Sequence, residues 1–192
     1  MKILFGVVVL LIQFFIFESC SNASSAHKKI QQLDTNYLCT PCGRSCDTMV
    51  YKKSGSCNSC MMGLVNKATV NIKNIAPNEV CNFITNTGSS NILLLDVRTA
   101  EEFNGTAPDK FGKLAGAINI PVQELEKRMA ELTQYKSKEI IVYCSHSHRS
   151  PMASYKLMQN GFTKVTNMQF GMSEWNNKVT HSDCNNKLYL TQ

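Results

Sequence analysis

The stretch "IIVYCSHSHRSPMASYKLMQNGF", residues 140–162, is the most informative part of the sequence for the fold. Strand-forming residues come first, Cys144 follows them, and an amphipathic segment starts at Ser150 and Pro151. Ser and Pro are typical of a helix cap and first turn, and Gly161 is typical of a helix end. Ligands bind at the carboxyl ends of strands in open parallel sheets. The stretch therefore predicts a buried strand, a loop that places Cys144 at a ligand-binding edge, and a helix.

The sequence on both sides repeats this alternation of strand and helix. The apolar run "NILLLDV", residues 91–97, has the pattern of a strand buried on both faces. Thr99 and Glu102 have capping-box spacing, which predicts a short helix over "AEEF". Further strands are predicted in "TVNIKNI", "GAINIP" and "KVTNM", and further helices after Pro77, after Pro121 and in "MSEWN". The helix after Pro121 would bury one apolar stripe, made of Val122, Leu125, Met129 and Leu132. The predicted fold class is α/β, a parallel sheet with helices on both faces.

The loop "CSHSHRS", residues 144–150, is suited to stabilise a thiolate. Backbone N–H groups of a loop that curls into a helix can converge on one point, where the helix N-terminus adds positive potential. A thiolate in such a cradle is a better nucleophile at neutral pH, and Arg149 adds a fixed positive charge. Three alternatives stay open: Cys144 is an inert buried thiol, it binds a metal together with His146 and His148, or these histidines line the entrance and tune the thiolate.

Four separated motifs resemble those of the rhodanese-like sulfurtransferases, in the order and spacing of that family. They are "LLLDVRTAEEF" (93–103), "KLAGAINIP" (113–121), "IIVYCSHSHRSPMAS" (140–154) and "GFTKVTNMQFGMSEWN" (161–176). The resemblance implies that Cys144 takes a sulfane sulfur from a small anionic donor, holds it as a persulfide and passes it to a thiol or other nucleophilic acceptor. It also implies that Arg149 is catalytic and that the anion is bound, chiefly through backbone amides, by Ser145, His146, Ser147 and His148.

The loop departs from the commonest form of that family, which has arginine directly after the cysteine and glycine within the loop. This chain has Ser145 after Cys144 and no glycine before Arg149. A donor anion therefore loses one positive contact, which weakens the expectation that thiosulfate is the donor. The four residues between cysteine and arginine fit the sulfurtransferases, because the related phosphatases carry one residue more.

Several other chemically notable residues are predicted to have structural roles. Asp96 and Arg98 are expected to pair inside the sheet edge, and Cys81 is expected to be buried in the stripe of a helix. His181 and Cys184 are expected to be exposed in a tail over residues 180–192. Cys184 would act as a resolving thiol only if that tail folds back.

Residues 37–65, here called the Cys-rich module, contain five of the nine cysteines. Four of them form two Cys-x2-Cys pairs separated by 14 residues, which is zinc-ribbon spacing. The predicted zinc ligands are Cys39, Cys42, Cys57 and Cys60. So small a segment cannot fold on its own core, so the metal would be structural. Cys46 is a fifth thiol that could substitute in the shell, and two disulfides are the alternative to a metal. The module resembles the small heavy-metal-binding domains that follow bacterial export signals, on the evidence of Tyr37, Gly55, Met62 and Leu64.

Residues 1–20 are predicted to be an export signal. Lys2 precedes an uncharged run over residues 3–17, which is shorter than the roughly 20 apolar residues of a spanning helix. Cys20 follows this run and precedes small polar residues, which resembles a bacterial lipoprotein signal with a lipidated cysteine. The chain is thus expected in the periplasm or cell envelope, anchored to a membrane by lipid through the linker 21–36. Ordinary cleavage nearby and an uncleaved anchor are the alternatives.

Composition and motifs together define the candidate functions. The net charge of +6 comes without a Lys/Arg stripe interleaved with aromatic residues, which argues against a nucleic-acid partner. Residues 69–179 are predicted to form the rhodanese-like domain. The predicted function is an exported sulfurtransferase. Its rivals are a non-catalytic periplasmic protein that binds or senses metals on a rhodanese scaffold, and a rhodanese-like binding module without activity.

Overall fold

The computed structural model of the protein describes residues 36–192. The predicted signal with Cys20, and the predicted linker except for its last residue, lie outside the described residues. Export and lipidation therefore remain predictions. Within residues 36–192, the helices are all too short or too polar to cross a membrane.

The Cys-rich module forms a small antiparallel sheet. Its strands, in the spatial order β2-β1-β3, are β1 (Tyr37–Cys39), β2 (Val50–Tyr51) and β3 (Leu64–Asn66). A 3-10 helix, Ser45–Thr48, lies between β1 and β2. The cysteine side chains take the place of an apolar core, because the buried cluster of this module consists of Cys39, Cys42, Cys46 and Cys57.

The main sheet has the predicted parallel arrangement. The strands that follow the module are β4 (Lys73–Ile75), β5 (Ile92–Asp96), β6 (Lys113–Leu114), β7 (Ile118–Asn119), β8 (Glu139–Tyr143), β9 (Val165–Met168) and β10 (Tyr189–Leu190). Five of them form a parallel sheet in the order β4-β9-β8-β5-β7. Because β8 is the central strand, the residue that follows it, Cys144, lies at the middle of the carboxyl edge.

Helices pack on both faces of this sheet, as predicted. The α-helices are α1 (Pro77–Thr87), α2 (Ala100–Asn104), α3 (Arg149–Gln159), α4 (Trp175–Lys178) and α5 (Asp183–Leu188), and short 3-10 helices lie at Lys67–Thr69, Ser89–Asn91, Met129–Tyr135 and Met172–Glu174. Side chains alternate along a strand, so Leu93 and Leu95 pack with Leu157 of α3, whereas Leu94 packs with Val80 of α1. The apolar run in β5 therefore reflects burial on both faces.

The prediction of an α-helix after Pro121 is wrong. Residues 122–128 form successive turns, and Met129–Tyr135 form a 3-10 helix. Leu125 and Leu132 of the predicted stripe are nevertheless fully buried. Val122 and Leu125, and likewise Met129 and Leu132, are three residues apart, and such a step keeps side chains on one face of a 3-10 turn as well as of an α-helix. The apolar stripe was therefore correct about burial and could not distinguish the two backbone forms.

The prediction that residues 180–192 form an exposed tail is also wrong, because this segment is folded onto the domain. They form α5 and β10, and β10 pairs with β6 in an antiparallel manner. Cys184 forms a disulfide bond with Cys81 of α1. Cys81 is buried and Cys184 is exposed, as the sequence predicted for each. Their pairing could not be read from spacing, because 103 residues separate them.

Reduction of the disulfide bond is expected to lower the free energy of unfolding by about 2–4 kcal/mol, because the bond restricts a long loop of the unfolded chain. Urea unfolding with and without a reductant measures the effect. The double variant Cys81→Ser/Cys184→Ser is the control, since its unfolding midpoint should not respond to the reductant. A wild-type midpoint that is the same under both conditions would contradict the pairing.

Candidate active site

Cys144 directly follows β8 and is fully buried at the carboxyl edge of the main sheet. Its Sγ lies 3.4 Å from Oγ of Ser150. Helix α3 begins at Arg149, so Ser150 lies within its first turn and is not the predicted cap. The Ser-Pro signal located the start of the helix to within two residues, but it gave no sign that the serine hydroxyl faces the cysteine sulfur.

The loop from Cys144 to α3 turns without a glycine. Ser147 adopts the left-handed backbone conformation, with φ +59°, which costs roughly 1–2 kcal/mol for a residue with a Cβ. The backbone N–H groups of residues 145–148 donate no hydrogen bond to any part of the chain between residues 36 and 192. Ser145 and Ser147 are themselves buried. Buried N–H groups are normally paired, and successive unpaired ones form an anion-binding concavity.

A turn after β9 holds the loop through its carbonyl groups. The N–H of Met172 donates to the carbonyl of Cys144 at 2.9 Å, and the N–H of Ser173 donates to the carbonyl of Ser145 at 2.9 Å. Gly171 lies between these contacts with φ +69°, and a Cβ at that position would overlap both carbonyl oxygens. The turn therefore requires glycine, fixes the loop from the carbonyl side and leaves the N–H groups of the loop free.

Arg149 is held by an acidic side chain for which the sequence predicted only helix capping. Its Nη1 and Nη2 lie 2.6 and 2.7 Å from the carboxylate of Glu102, and Nη2 donates to Oγ of Ser145 at 2.7 Å. Burial opposes ionisation of Glu102, but hydrogen bonds from Arg149 and from the Thr99 N–H outweigh it and lower the pKa of this carboxyl to about 2. The charge of Arg149 is thus compensated, and the pair ties α2 to the Cys144 loop.

Glu102 also forms the predicted capping box with Thr99 at the start of α2. One carboxylate therefore serves both the helix cap and the active-site arginine. The sequence signal identified the first role, whereas the second depends on the contact between α2 and the Cys144 loop, which no local pattern reveals.

The variant Glu102→Gln is expected to lower the free energy of unfolding at pH 7 by about 1–3 kcal/mol, because it removes a charge-assisted pair from a mostly buried side chain. The folded-state pKa of about 2 lies below the unfolded value of about 4.3. The stabilisation is therefore fully present above pH 5 and is lost as the pH falls towards 2.

Urea unfolding of both proteins at pH 7 and pH 3 tests this prediction. The difference in stability should shrink at pH 3. The exposed neighbour Glu101 provides the matched control, because Glu101→Gln should change stability little at either pH. A Glu102→Gln protein as stable as the wild type at pH 7 would show that the pair is not stabilising.

The two loop histidines have different surroundings. His146 is exposed and meets the ring of Phe111 edge-on, with ring centroids 5.2 Å apart. His148 is half-buried, and its Nε2 has no hydrogen-bond partner among the residues from 36 onward. Burial lowers the pKa of His148, and the positive charge of Arg44 from the Cys-rich module is the next contribution in the same direction. The module therefore lies close enough to the loop to act on its electrostatics.

The proposed metal site at Cys144, His146 and His148 finds no support in the geometry. Within the described part of the chain, the groups of three or more ligand atoms that converge to 4.8 Å include none of these residues. The Asp96–Arg98 pair, in contrast, is confirmed as structural. Both side chains are fully buried with a closest N–O distance of 2.7 Å, and Arg98 also donates to the carbonyl of Gly112.

Four thiols converge in the Cys-rich module, but they are not the predicted four. The set whose sulfur atoms lie within 4.8 Å of one another is Cys39, Cys46, Cys57 and Cys60. Cys42 instead groups with Cys46 and Asp47. The carboxylate of Asp47 accepts hydrogen bonds from the N–H groups of Cys42 and Gly43. This turn holds Cys42 at the edge of the cluster, while the 3-10 helix Ser45–Thr48 carries Cys46 into it.

This set of thiols fits a soft divalent cation. All five cysteines of the module are free thiols, so the alternative of two disulfides is not found. Burial raises the pKa of Cys39 and of Cys46. The N–H of Cys60 and the hydroxyl of Tyr51 lower the pKa of Cys57 to about 6. Four adjacent thiols cannot all ionise without a neutralising cation, and four thiolates are the usual ligands of structural zinc.

Comparisons with known proteins point to one family. The sequence model of the rhodanese-like domain matches residues 82–178. An uncharacterized protein of Bacillus subtilis is 36% identical over 86 residues, which are 45% of this chain and 62% of that protein. A sulfurtransferase of Allochromatium vinosum is 33% identical over 88 residues, which are 45% of this chain and 74% of that protein. This chain thus spans less than two thirds of the Bacillus relative.

A comparison with solved structures matches a rhodanese-related protein from Thermoplasma volcanium. It is 26% identical, has a TM-score of 0.44, and the match covers 56% of this chain and 95% of that chain.

Proposed function

The chain belongs to the rhodanese-like family, and we propose that it is a sulfurtransferase that carries sulfane sulfur as a persulfide on Cys144. One observation carries the proposal: Cys144 is followed by residues 145–148, whose backbone N–H groups donate no hydrogen bond within residues 36–192. These donors suit an anionic donor and the anionic persulfide that it leaves behind. Similarity to a relative named as a sulfurtransferase also supports the proposal.

The proposed reaction has two steps. The Cys144 thiolate attacks the sulfane sulfur of the donor, the S–S bond of the donor breaks, and the remainder leaves with the bonding electron pair. With thiosulfate the leaving group is sulfite. A thiolate acceptor then attacks the outer sulfur of the persulfide, which forms an acceptor persulfide and returns the Cys144 thiolate. Residues 145–148 hold the negative charge in both steps, and Arg149 positions Ser145.

A transfer assay tests this function. The purified protein is given thiosulfate, or a polysulfide, together with a thiol acceptor, and release of the donor remainder is followed over time. Continuous release that depends on both donor and acceptor supports the proposal. Release at the rate of the protein-free mixture with every donor would favour the rivals, a metal-binding or metal-sensing protein or an inactive binding module on the same scaffold.

For the Cys-rich module we propose a structural zinc site. Its ligands would be Cys39, Cys46, Cys57 and Cys60, the four thiols that converge. When bound, zinc would supply charge compensation and cross-linking to a segment whose buried cluster consists of cysteines. The same four thiols are the observation that favours the rival function, a protein that binds or senses soft metals.

We propose further that the protein is exported and anchored by lipid at Cys20 in the periplasm or cell envelope. The Cys81–Cys184 disulfide supports this, because such bonds persist in oxidising compartments. Cells grown with labelled fatty acid should label the wild-type protein and not the Cys20→Ser variant. Equal labelling of the two, or a full-length protein in the cytosol, would reject the lipid anchor.

A further inference from the structure

A cavity lies between the Cys-rich module and the edge of the main sheet. It has a volume of about 240 Å³. The module lines it with Cys42, Gly43 and Arg44, and the sheet domain lines it with His146, Phe170, Ser173, Glu174 and Lys178. The two walls belong to the same compact unit. The volume exceeds what a small oxyanion with a few waters requires.

The sheet-domain wall of this cavity consists of the segments that hold Cys144. His146 belongs to the loop whose N–H groups are unpaired. Phe170 and Ser173 flank the turn that binds the loop carbonyls, and the Ser173 N–H itself donates to the carbonyl of Ser145. On the other wall, Gly43 approaches the ring of Phe170, because a Cβ on Gly43 would lie 3.8 Å from it. The cavity therefore borders the Cys144 loop at His146 and at the turn that holds the loop.

The cavity carries a net positive charge that resides on Arg44. Nζ of Lys178 lies 3.9 Å from a carboxylate oxygen of Glu174 and 4.8 Å from the ring centroid of Phe170. The opposite charges of Lys178 and Glu174 therefore offset each other. Arg44 is exposed, and its guanidinium forms no ion pair within the described chain. The nearby Asp47 carboxylate is directed to the N–H groups of Cys42 and Gly43.

We propose that this cavity is an anion-binding entrance to Cys144, in which Arg44 of the Cys-rich module attracts a small sulfur-bearing oxyanion. The proposal rests on the proposed function for its ligand class. It explains how the loop can lack an arginine directly after the cysteine, since the module supplies a cation from outside the loop. The electrostatic effect of Arg44 on His148 supports the proximity that this role requires.

Two alkylating reagents of similar size test the entrance without any sulfur transfer. Iodoacetate is an anion and iodoacetamide is neutral, so the ratio of their rates at Cys144 reports the potential along the path of approach. The rates are read from the mass of the Cys144 peptide at low salt, where screening is weak. The variant Arg44→Gln should lower the iodoacetate-to-iodoacetamide ratio by roughly three- to tenfold, as expected for one charge several Å from an anion near a surface.

Three further variants serve as controls. Arg44→Lys should keep most of the ratio, and the double variant Lys178→Gln/Glu174→Gln should change it little, because it removes one charge of each sign from the same wall. Lys53→Gln removes one charge from the same module at an exposed residue outside the cavity, and should leave the ratio unchanged. An unchanged ratio in Arg44→Gln, or an equal fall in Lys53→Gln, would overturn the proposal.

A second measurement does not depend on access of alkylating reagents to Cys144. Sulfate added to the Cys144→Ser protein should shift the imidazole NMR signals of His146 saturably, and Arg44→Gln should raise the dissociation constant by the same three- to tenfold factor. Shifts that do not saturate, or that ignore Arg44, would reject the entrance. Sulfate binding that requires Arg44, together with a wild-type protein that forms no persulfide with any donor, would keep the entrance and reject the sulfurtransferase function. Persulfide formation in the wild-type protein without sulfate binding that requires Arg44 would keep the sulfurtransferase function and reject the entrance.

Discussion

Replacement of Cys144 by serine is expected to abolish sulfur transfer, because an oxygen nucleophile cannot form a persulfide. The rate of transfer from a sulfane-sulfur donor to a thiol should fall by roughly 10³-fold or more, the scale seen when an enzyme loses its nucleophile. The fold should be retained, since serine is slightly smaller and can still contact Ser150. Transfer that persists in Cys144→Ser would place the reactive sulfur elsewhere.

Cys42→Ser is the matched control for this loss. Cys42 is a second buried thiol on the other wall of the cavity beside the loop. Burial raises its pKa to about 12, so it is a thiol and not a thiolate at neutral pH. The variant should therefore transfer sulfur at close to the wild-type rate. A comparable loss in Cys42→Ser would mean that this thiol takes part in the transfer.

The second large effect is expected in the Cys-rich module. The reduced wild-type protein should carry about one zinc ion per chain, as a closed site of four thiolates does. Cys46→Ser should lose most of this zinc, because Cys46 is one of the four converging thiols. Cys42→Ser should keep it. Elemental analysis of the purified variants measures the zinc content, and Cys144→Ser controls for loss of an unrelated thiol.

The opposite outcome would restore the set predicted from spacing. If Cys42→Ser loses the metal and Cys46→Ser keeps it, the two Cys-x2-Cys pairs bind zinc and the arrangement around Asp47 differs in the metal-bound protein. Zinc that disappears only with Cys144, His146 and His148 would favour the metal-sensing rival over the sulfurtransferase.

Much of the sheet could be predicted, because its signals are local. The apolar run in β5 requires burial on both faces, and the Thr99 and Glu102 spacing requires only a short helix between them. The position of Cys144 follows from the same logic, since a residue directly after a central parallel strand lies at the carboxyl edge. These features depend on neighbouring residues along the chain, where periodicity and capping are visible.

The features that could not be predicted depend on contacts between distant segments. Cys46 takes the place of Cys42 in the cluster of four thiols because the carboxylate of Asp47 binds the N–H of Cys42 and holds that residue in a turn. The spacing of the cysteines does not reveal this contact. The disulfide that holds residues 180–192 joins two cysteines that have no common motif. The Glu102–Arg149 pair forms only because α2 lies against the Cys144 loop. Arg44 likewise lines the same cavity as His146 because of how the module packs, which sequence spacing does not encode.

The Cys144 loop keeps its conformation although it contains no glycine. Ser147 adopts the positive φ that glycine would otherwise supply, and the turn around Gly171 clamps the loop carbonyls from outside. The loop thus keeps unpaired N–H groups despite the substitution. For the proposed function, the anion contacts of the loop would come chiefly from this backbone geometry.

One mass spectrum can show whether Cys144 carries sulfur. The full-length protein is treated with thiosulfate or another sulfane-sulfur donor and digested without reductant, and the mass of the Cys144 peptide is measured. A persulfide would appear as a gain of one sulfur atom on Cys144, which cyanide or a thiol removes. A Cys144 peptide of unchanged mass with every donor, or sulfur added only to cysteines of the Cys-rich module, would contradict the proposed function.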